Sequence, residues 1–279
     1  MLDSTFQLAA GVGPRREQRL WRMGIARWRD FPPAPGVALS AGADAALRSA
    51  IDAAAEALER GNADAVAALL PAGERWRMLP AFGDGALYLD IETGDDDVRF
   101  EGISAIGMLD RDGPRLFLGG RDLHRFPEAA SGASMLVTFN GLSFDLPILR
   151  RAFPDWSPPV CHLDLRHLLG RLGHDGGLKS IERRIAALRL ARPGHLAGLD
   201  GAGASWLWRR GREGDRAALR AFAEYNLYDV VNLRTLMAHA YNALVDAVGS
   251  PAVRAVAPRL DVPLRGDLLY DVSKILLGL

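Results

Sequence analysis

The sequence predicts a mixed α/β protein: a sheet flanked by helices, with a small helical region ahead of it. Three observations carry this. Short apolar runs bounded by turn residues recur between Ala86 and Phe139. Helical patterns alternate with such runs from Met135 onward. The chain before Ala86 shows helical rather than alternating periodicity.

The elements follow in order. Pro/Gly-rich punctuation at Phe31 to Gly36 and near Leu70 to Gly73 sets off an N-terminal zone, in which Leu47, Ile51, Ala54 and Leu58 recur at helical spacing and predict a helix over Ser40 to Arg60. Four strands are expected at Ala86 to Ile91, Ile103 to Leu109, Arg115 to Leu118 and Met135 to Phe139, the first three forming an antiparallel meander through short turns. Beyond Gly177 the pattern is mainly helical. Arg216 to Val248 fits one long helix or two stacked ones, with Leu219, Phe222, Tyr225, Leu233 and Leu236 on its apolar side. This gives a helical region at 1–75, a principal domain at 76–248 and an extension at 249–279, whose apolar Leu268 to Leu279 suits a docking helix or a partner contact.

Of the 279 residues, 34 are basic and 34 acidic, so any polyanion must be met by local patches rather than a global field. The single cysteine, Cys161, forms no internal disulfide, and a buried inert thiol is expected. No uncharged apolar run approaches the roughly 20 residues that cross a bilayer, and no signal-peptide pattern opens the chain, so a cytoplasmic protein without membrane function is expected. The six histidines, His162 and His167 among them, lack metal-ligand spacing.

The chemistry lies in carboxylates. Leu89-Asp90-Ile91-Glu92-Thr93 puts two acids at i and i+2 of a strand ending, hence on one face. Neighbouring carboxylates repel by on the order of several kcal/mol at an effective dielectric near 20. Such a pair calls for a cation or an elevated pKa. The acids Asp95, Asp96 and Asp97 read as a plain loop. In Thr138-Phe139-Asn140-Gly141-Leu142-Ser143-Phe144-Asp145-Leu146-Pro147 a strand runs through a turn into a helix start. Asp145 falls where an N-cap would, with Pro147 in the first turn and the Phe144 ring expected to be buried. Tyr225 and Asp229, four apart in the long helical pattern, share a helix face.

In this order the signatures resemble the proofreading-exonuclease superfamily with four acidic residues and a tyrosine. They are locally similar to the exonuclease domains of family B DNA polymerases, and as an arrangement to the ribonuclease-H-like nucleases called the YprB family. The resemblance covers roughly Trp76 to His239. It implies a ribonuclease-H-like fold, Asp90, Glu92, Asp145 and Asp229 as catalytic metal ligands, and Tyr225 at the water-orienting position. Asp164 falls at a strand-end position outside the quartet and reads as structural. Hard oxygen ligands fit two Mg²⁺ or Mn²⁺ ions. Asp90 is expected to bridge them, Glu92 and Asp229 to complete their shells, and Asp145 to act directly or through water. The implied activity is 3′-to-5′ exonuclease cleavage of single-stranded DNA ends. An RNA-processing exonuclease and a silent nucleic-acid-binding module of the same fold are the alternatives.

For holding substrate, the stretch from Leu8 to Ile25 resembles one helix-hairpin-helix element. Gly11 and Gly13 would let backbone amides approach a phosphate, and Arg15 and Arg16 open a basic run continued by Arg19, Arg22, Arg27 and Arg29. Leu20, Trp21, Ile25, Trp28 and Phe31 suit packing as well. Asn140, in the second signature, is a further candidate nucleic-acid contact. Arg183, Arg184 and Arg189, and Trp206 with Trp208 to Arg212, form other basic-aromatic segments, in which at most one tryptophan is expected to face substrate.

Overall fold

The computed structural model describes residues 1–263 apart from 35, 37, 95–99 and 191. Asp95 to Asp97 and Leu268 to Leu279 therefore lie outside the described residues. The N-terminal part contributes α1 (Pro14–Arg22), α2 (Ala41–Glu59), α3 (Ala63–Leu69) and the short α4 (Leu79–Phe82). Leu47, Ile51 and Ala54 of α2 are buried, as their helical spacing requires. Leu20, Trp21, Ile25, Trp28 and Phe31 are buried too, in one apolar cluster with Leu236, Tyr241 and Leu244 of the C-terminal half. A buried acid, Glu17, fastens this region. It accepts hydrogen bonds from the Thr5 hydroxyl (2.8 Å), the Phe6 amide (2.8 Å) and the Gln7 side chain (2.7 Å), and pairs with Arg77 at 3.0 Å. A buried ion with all these partners is satisfied rather than stranded.

The sheet follows: β1 (Ala86–Thr93), β2 (Ile103–Asp110), β3 (Gly113–Leu118), the short α5 (Phe126–Ala129), β4 (Met135–Thr138), α6 (Asp145–Ala152), β5 (His162–Asp164), α7 (Leu165–Arg171) and α8 (Leu178–Arg184). Its order is β3-β2-β1-β4-β5. β1, β2 and β3 form the antiparallel meander, while β4 joins β1 and β5 joins β4 in parallel. The C-terminal ends of β1, β4 and β5 thus open at one edge. The chain reverses its direction of winding between β1 and β4, and there an open α/β sheet leaves a crevice.

The helices α9 (Gly201–Arg212), α10 (Arg216–Ala247) and α11 (Pro251–Val256) complete the fold. The long C-terminal pattern is one helix of 32 residues, started by the Asp215 side chain accepting from the Ala218 amide at 3.0 Å. α10 crosses one face of the sheet against β1, β2, β3 and β4. Leu87, Leu89 and Ile91 point to the opposite face and pack with Phe126, Leu146 and Leu149. Alternation therefore delivers Asp90 and Glu92 to the side that α10 covers.

Candidate metal centre

β1 is apolar and buried until Asp90, and its pairing with β2 slips at Glu92/Thr93. Such irregularities bend a strand and re-aim its last side chains. α10 supplies a third carboxylate, Asp229, and one oxygen from each of Asp90, Glu92 and Asp229 lies within 4.8 Å of the others. Among the described residues no histidine or cysteine belongs to a group of this kind.

Asp145 reaches the same place by another route. β1 pairs with β4 only as far as Tyr88↔Val137, so the Ile91 amide lacks a strand partner on that side, and the Asp145 carboxylate accepts from it at 3.0 Å. This corrects the N-cap expectation. Phe144 holds the cap position, and Asp145 is the first residue of α6, its side chain reaching across to the β1 amide. The Phe144 ring is not buried either. It is 42% exposed, because the chain turns its neighbour Asp145 (2%) inward.

Confinement raises Asp90, Glu92 and Asp145. Asp90 is pushed well above the ordinary carboxylate range by burial and then by Asp229, Asp145 and Glu92. Glu92 rises to about 8, through burial and then Asp229, with Lys179 opposing. Asp145 rises to about 7 through burial, partly offset by the Ile91 hydrogen bond. Tyr225 is buried, and burial together with the charges of Asp229, Glu92 and Asp90 raises its phenol further, which keeps it protonated near neutral pH.

Several neighbours carry no motif that singles them out in the sequence. Lys179 on α8 donates to the Tyr225 hydroxyl, lies 3.8 Å from that ring's centre and 3.6 Å from Asp229 Oδ2. Arg192, nearly buried, sits 2.5 Å from Asp229 Oδ1 and grips Glu182 with two hydrogen bonds of 3.0 and 2.8 Å. Burial works against its charge, but Asp229 and Glu182 more than compensate and raise its pKa. Asn232 donates to the same Glu182 at 2.8 Å. Asn226 donates to Asp90 Oδ2 at 2.8 Å. Lys179 was detectable as one of two lysines among 34 basic residues, and Asn226 as a polar residue on the apolar face shared by Phe222 and Asp229.

The remaining candidates are placed as follows. Asp164 accepts from the amides of Asn140 (2.8 Å), Leu142 (3.1 Å) and Arg166 (3.0 Å), shaping the turn before Asp145. Asn140 stands in that turn with φ +65° and accepts from Arg166 at 2.8 Å. Gly11 is left-handed (φ +84°) and Gly13 caps α1, whose Arg15, Arg16, Arg19 and Arg22 are exposed. The chain before these glycines forms only a single 3-10 turn, Leu2–Ser4, where a helix-hairpin-helix would have its first helix. α1 borders α10 near Leu244 and Ala247, about 22 Å along that helix from Asp229 at 1.5 Å per residue. Gly11, Gly13, Arg15 and Arg16 are thus not brought to the acid cluster. Trp208 is buried, whereas Trp206 is 55% exposed. His162 bonds Thr138, and its pKa is lowered to about 4 by burial. Cys161 is buried, and its thiol is pushed up to about 12.

An all-oxygen set of confined like charges is what a hard divalent cation compensates, so these residues fit such a cation. The fold and this cluster define an α/β protein equipped for divalent-metal binding. The profile described as RNase H superfamily matches residues 87–241, more than half of the chain, and the chain belongs to that superfamily. Neither the curated proteins nor the solved structures compared with it include a match. Membership is compatible with metal-dependent nuclease activity and implies a nucleic-acid substrate. No helix among the described residues is long and apolar enough to cross a membrane.

Proposed function

We propose that this chain is a 3′-to-5′ exonuclease that hydrolyses single-stranded DNA ends, with Asp90, Glu92 and Asp229 holding two Mg²⁺ or Mn²⁺ ions and Asp145 beside them. The convergence of those three carboxylates within 4.8 Å carries the reading. The ions, when bound, supply charge compensation at the phosphate and a more acidic water. Lys179 donates to the phenolic oxygen of Tyr225, which leaves the Tyr225 proton free to orient an attacking water. The Lys179 ammonium, next to Asp229, is also available to a phosphate oxygen.

Preference for single strands is supported by apolar groups around the cluster. Leu142 (52% exposed) and Phe144 stand in the turn before Asp145. Trp206 follows Ser205, whose hydroxyl reaches the Thr93 carbonyl at 3.4 Å. Unpaired bases stack on aromatic rings such as those of Phe144 and Trp206, each stack contributing about 1–3 kcal/mol. Asn140 lies in the same turn, and the exposed arginines of α1, with Gly11 and Gly13 at its start, would hold phosphates farther along the strand.

The test is cleavage of single-stranded DNA and RNA of matching sequence, labelled at the 5′ end, by the purified protein. A ladder shortening from the 3′ end, faster on DNA, is expected. Internal cuts would refute the exonuclease reading, and faster loss of RNA would assign the chain to RNA processing. Binding without cleavage under any metal would favour the silent module.

A further inference from the structure

We infer that Asn226 is the positioning residue that fixes the Asp90 carboxylate for metal binding, and that Gly107 is glycine so that Asn226 can sit there. The inference rests on the metal-centre reading above.

Asn226 is wholly buried on α10, with Phe222, Ala223 and Val230 one turn away and Asp229 as the polar neighbour on the same face. A buried amide needs partners, yet its Oδ1 has no hydrogen-bond partner, whereas Nδ2 donates to Asp90 Oδ2 at 2.8 Å and lies 3.5 Å from the Asp90 carbonyl. The orientation follows from charge, since an amide oxygen turned toward a carboxylate would be repelled. With one oxygen tied to a rigid amide, the Asp90 carboxylate cannot swing away from Glu92 and Asp229 under their repulsion.

The sheet makes room for this contact. Gly107 is the register partner of Asp90 on β2. A Cβ there would stand 2.2 Å from Asn226 Oδ1 and 2.8 Å from Val230 Cγ2. Its backbone is not left-handed, unlike that of Gly102 or Gly113, so close approach of α10 and not turn geometry demands the glycine. Strand and helix therefore share one device: a missing side chain opposite Asp90 lets an amide from α10 reach it.

The test is Mn²⁺ binding by calorimetry without nucleic acid, with thermal melting in EDTA, for wild type, Asn226→Ala, Asn226→Leu, Gly107→Ala and the Asn226→Ala/Gly107→Ala pair. Removing an outer partner of a metal ligand typically weakens metal affinity 10–100-fold. That loss is expected in both Asn226 variants, and the leucine keeps the volume filled in case the alanine folds poorly. Gly107→Ala should weaken Mn²⁺ binding and lower the melting temperature. The pair should regain melting temperature relative to Gly107→Ala, because the clash with Asn226 is gone, while its Mn²⁺ affinity stays low. Wild-type affinity in Asn226→Leu, or recovery of affinity in the pair, would overturn the inference. Absence of Mn²⁺ binding to the wild type would instead overturn the metal-centre reading itself.

Discussion

Replacing Asp90 with asparagine should make the metal-free protein more stable while destroying its metal site. Oxygens of Asp90, Glu92 and Asp229 lie within 4.8 Å of each other. At that separation two full charges repel by about 3.5 kcal/mol with an effective dielectric near 20. Asp90 faces two such partners, but Lys179 and Arg192 offset part of the charge on Asp229, and protonation relieves more. An asparagine at 90 keeps the shape and can still accept from Asn226. The net gain should be about 1–3 kcal/mol, or roughly 2–8 °C in melting temperature for a chain of this size. Its pH dependence has a definite sign. The folded pKa of Asp90 is raised, so the stability tied to its proton is present below the unfolded value near 4 and is lost as pH rises through the folded value. The asparagine's advantage should be small at pH 5 and larger at pH 8.5. Melting both proteins in EDTA at the two pH values, then with Mn²⁺, reads this directly. Equal or lower stability of Asp90→Asn at pH 8.5, or an equal upward shift with Mn²⁺ in both, would refute the electrostatic argument.

Other outcomes follow from the same geometry. Protons compete with metal at Glu92 (about 8) and Asp145 (about 7), so Mn²⁺ affinity should climb between pH 6 and 8.5; calorimetry showing a flat profile would contradict this. Arg192→Met leaves Glu182 without its bidentate partner and Asp229 without its nearest cation. It should cost about 3–5 kcal/mol in urea unfolding, and a loss under about 1 kcal/mol would mean that the buried network is dispensable. Glu17→Ala leaves Arg77 with Glu74 alone and removes the acceptor shared by Thr5, Phe6 and Gln7; it should cost about 3–5 kcal/mol, with α1 becoming accessible to proteolysis. Phe144→Ala and Trp206→Ala should leave the melting temperature within about 2 °C because both rings are exposed. Each should nevertheless weaken binding of a single-stranded oligonucleotide in EDTA roughly 5- to 100-fold; unchanged affinity would remove the stacking role.

Local periodicity made much of this legible before any coordinates. Alternation along Ala86 to Ile91 placed Asp90 and Glu92 on one face, and helical spacing placed Tyr225 with Asp229, since both relations depend only on the backbone repeat. The order of the signatures, through family resemblance, linked carboxylates that are 55 and 139 residues beyond Asp90 in the chain. Residues that act through tertiary contact were harder to see. Arg192 stands among many arginines and gains meaning only when a loop carries it to Asp229 and Glu182. Gly107 looks like any strand glycine until α10 lies across it. Aromatic character favours burial of Phe144, but the inward turn of Asp145 leaves the ring outside.

The most direct test of the central claim is hydrolysis of single-stranded DNA by wild type and Asp90→Asn, each shown to be folded, across a series of Mn²⁺ concentrations and in EDTA. Cleavage by the wild type that rises with Mn²⁺, vanishes in EDTA and is absent from Asp90→Asn at every concentration is the result expected of a carboxylate metal centre. Cleavage that persists in EDTA, or in Asp90→Asn, would contradict it.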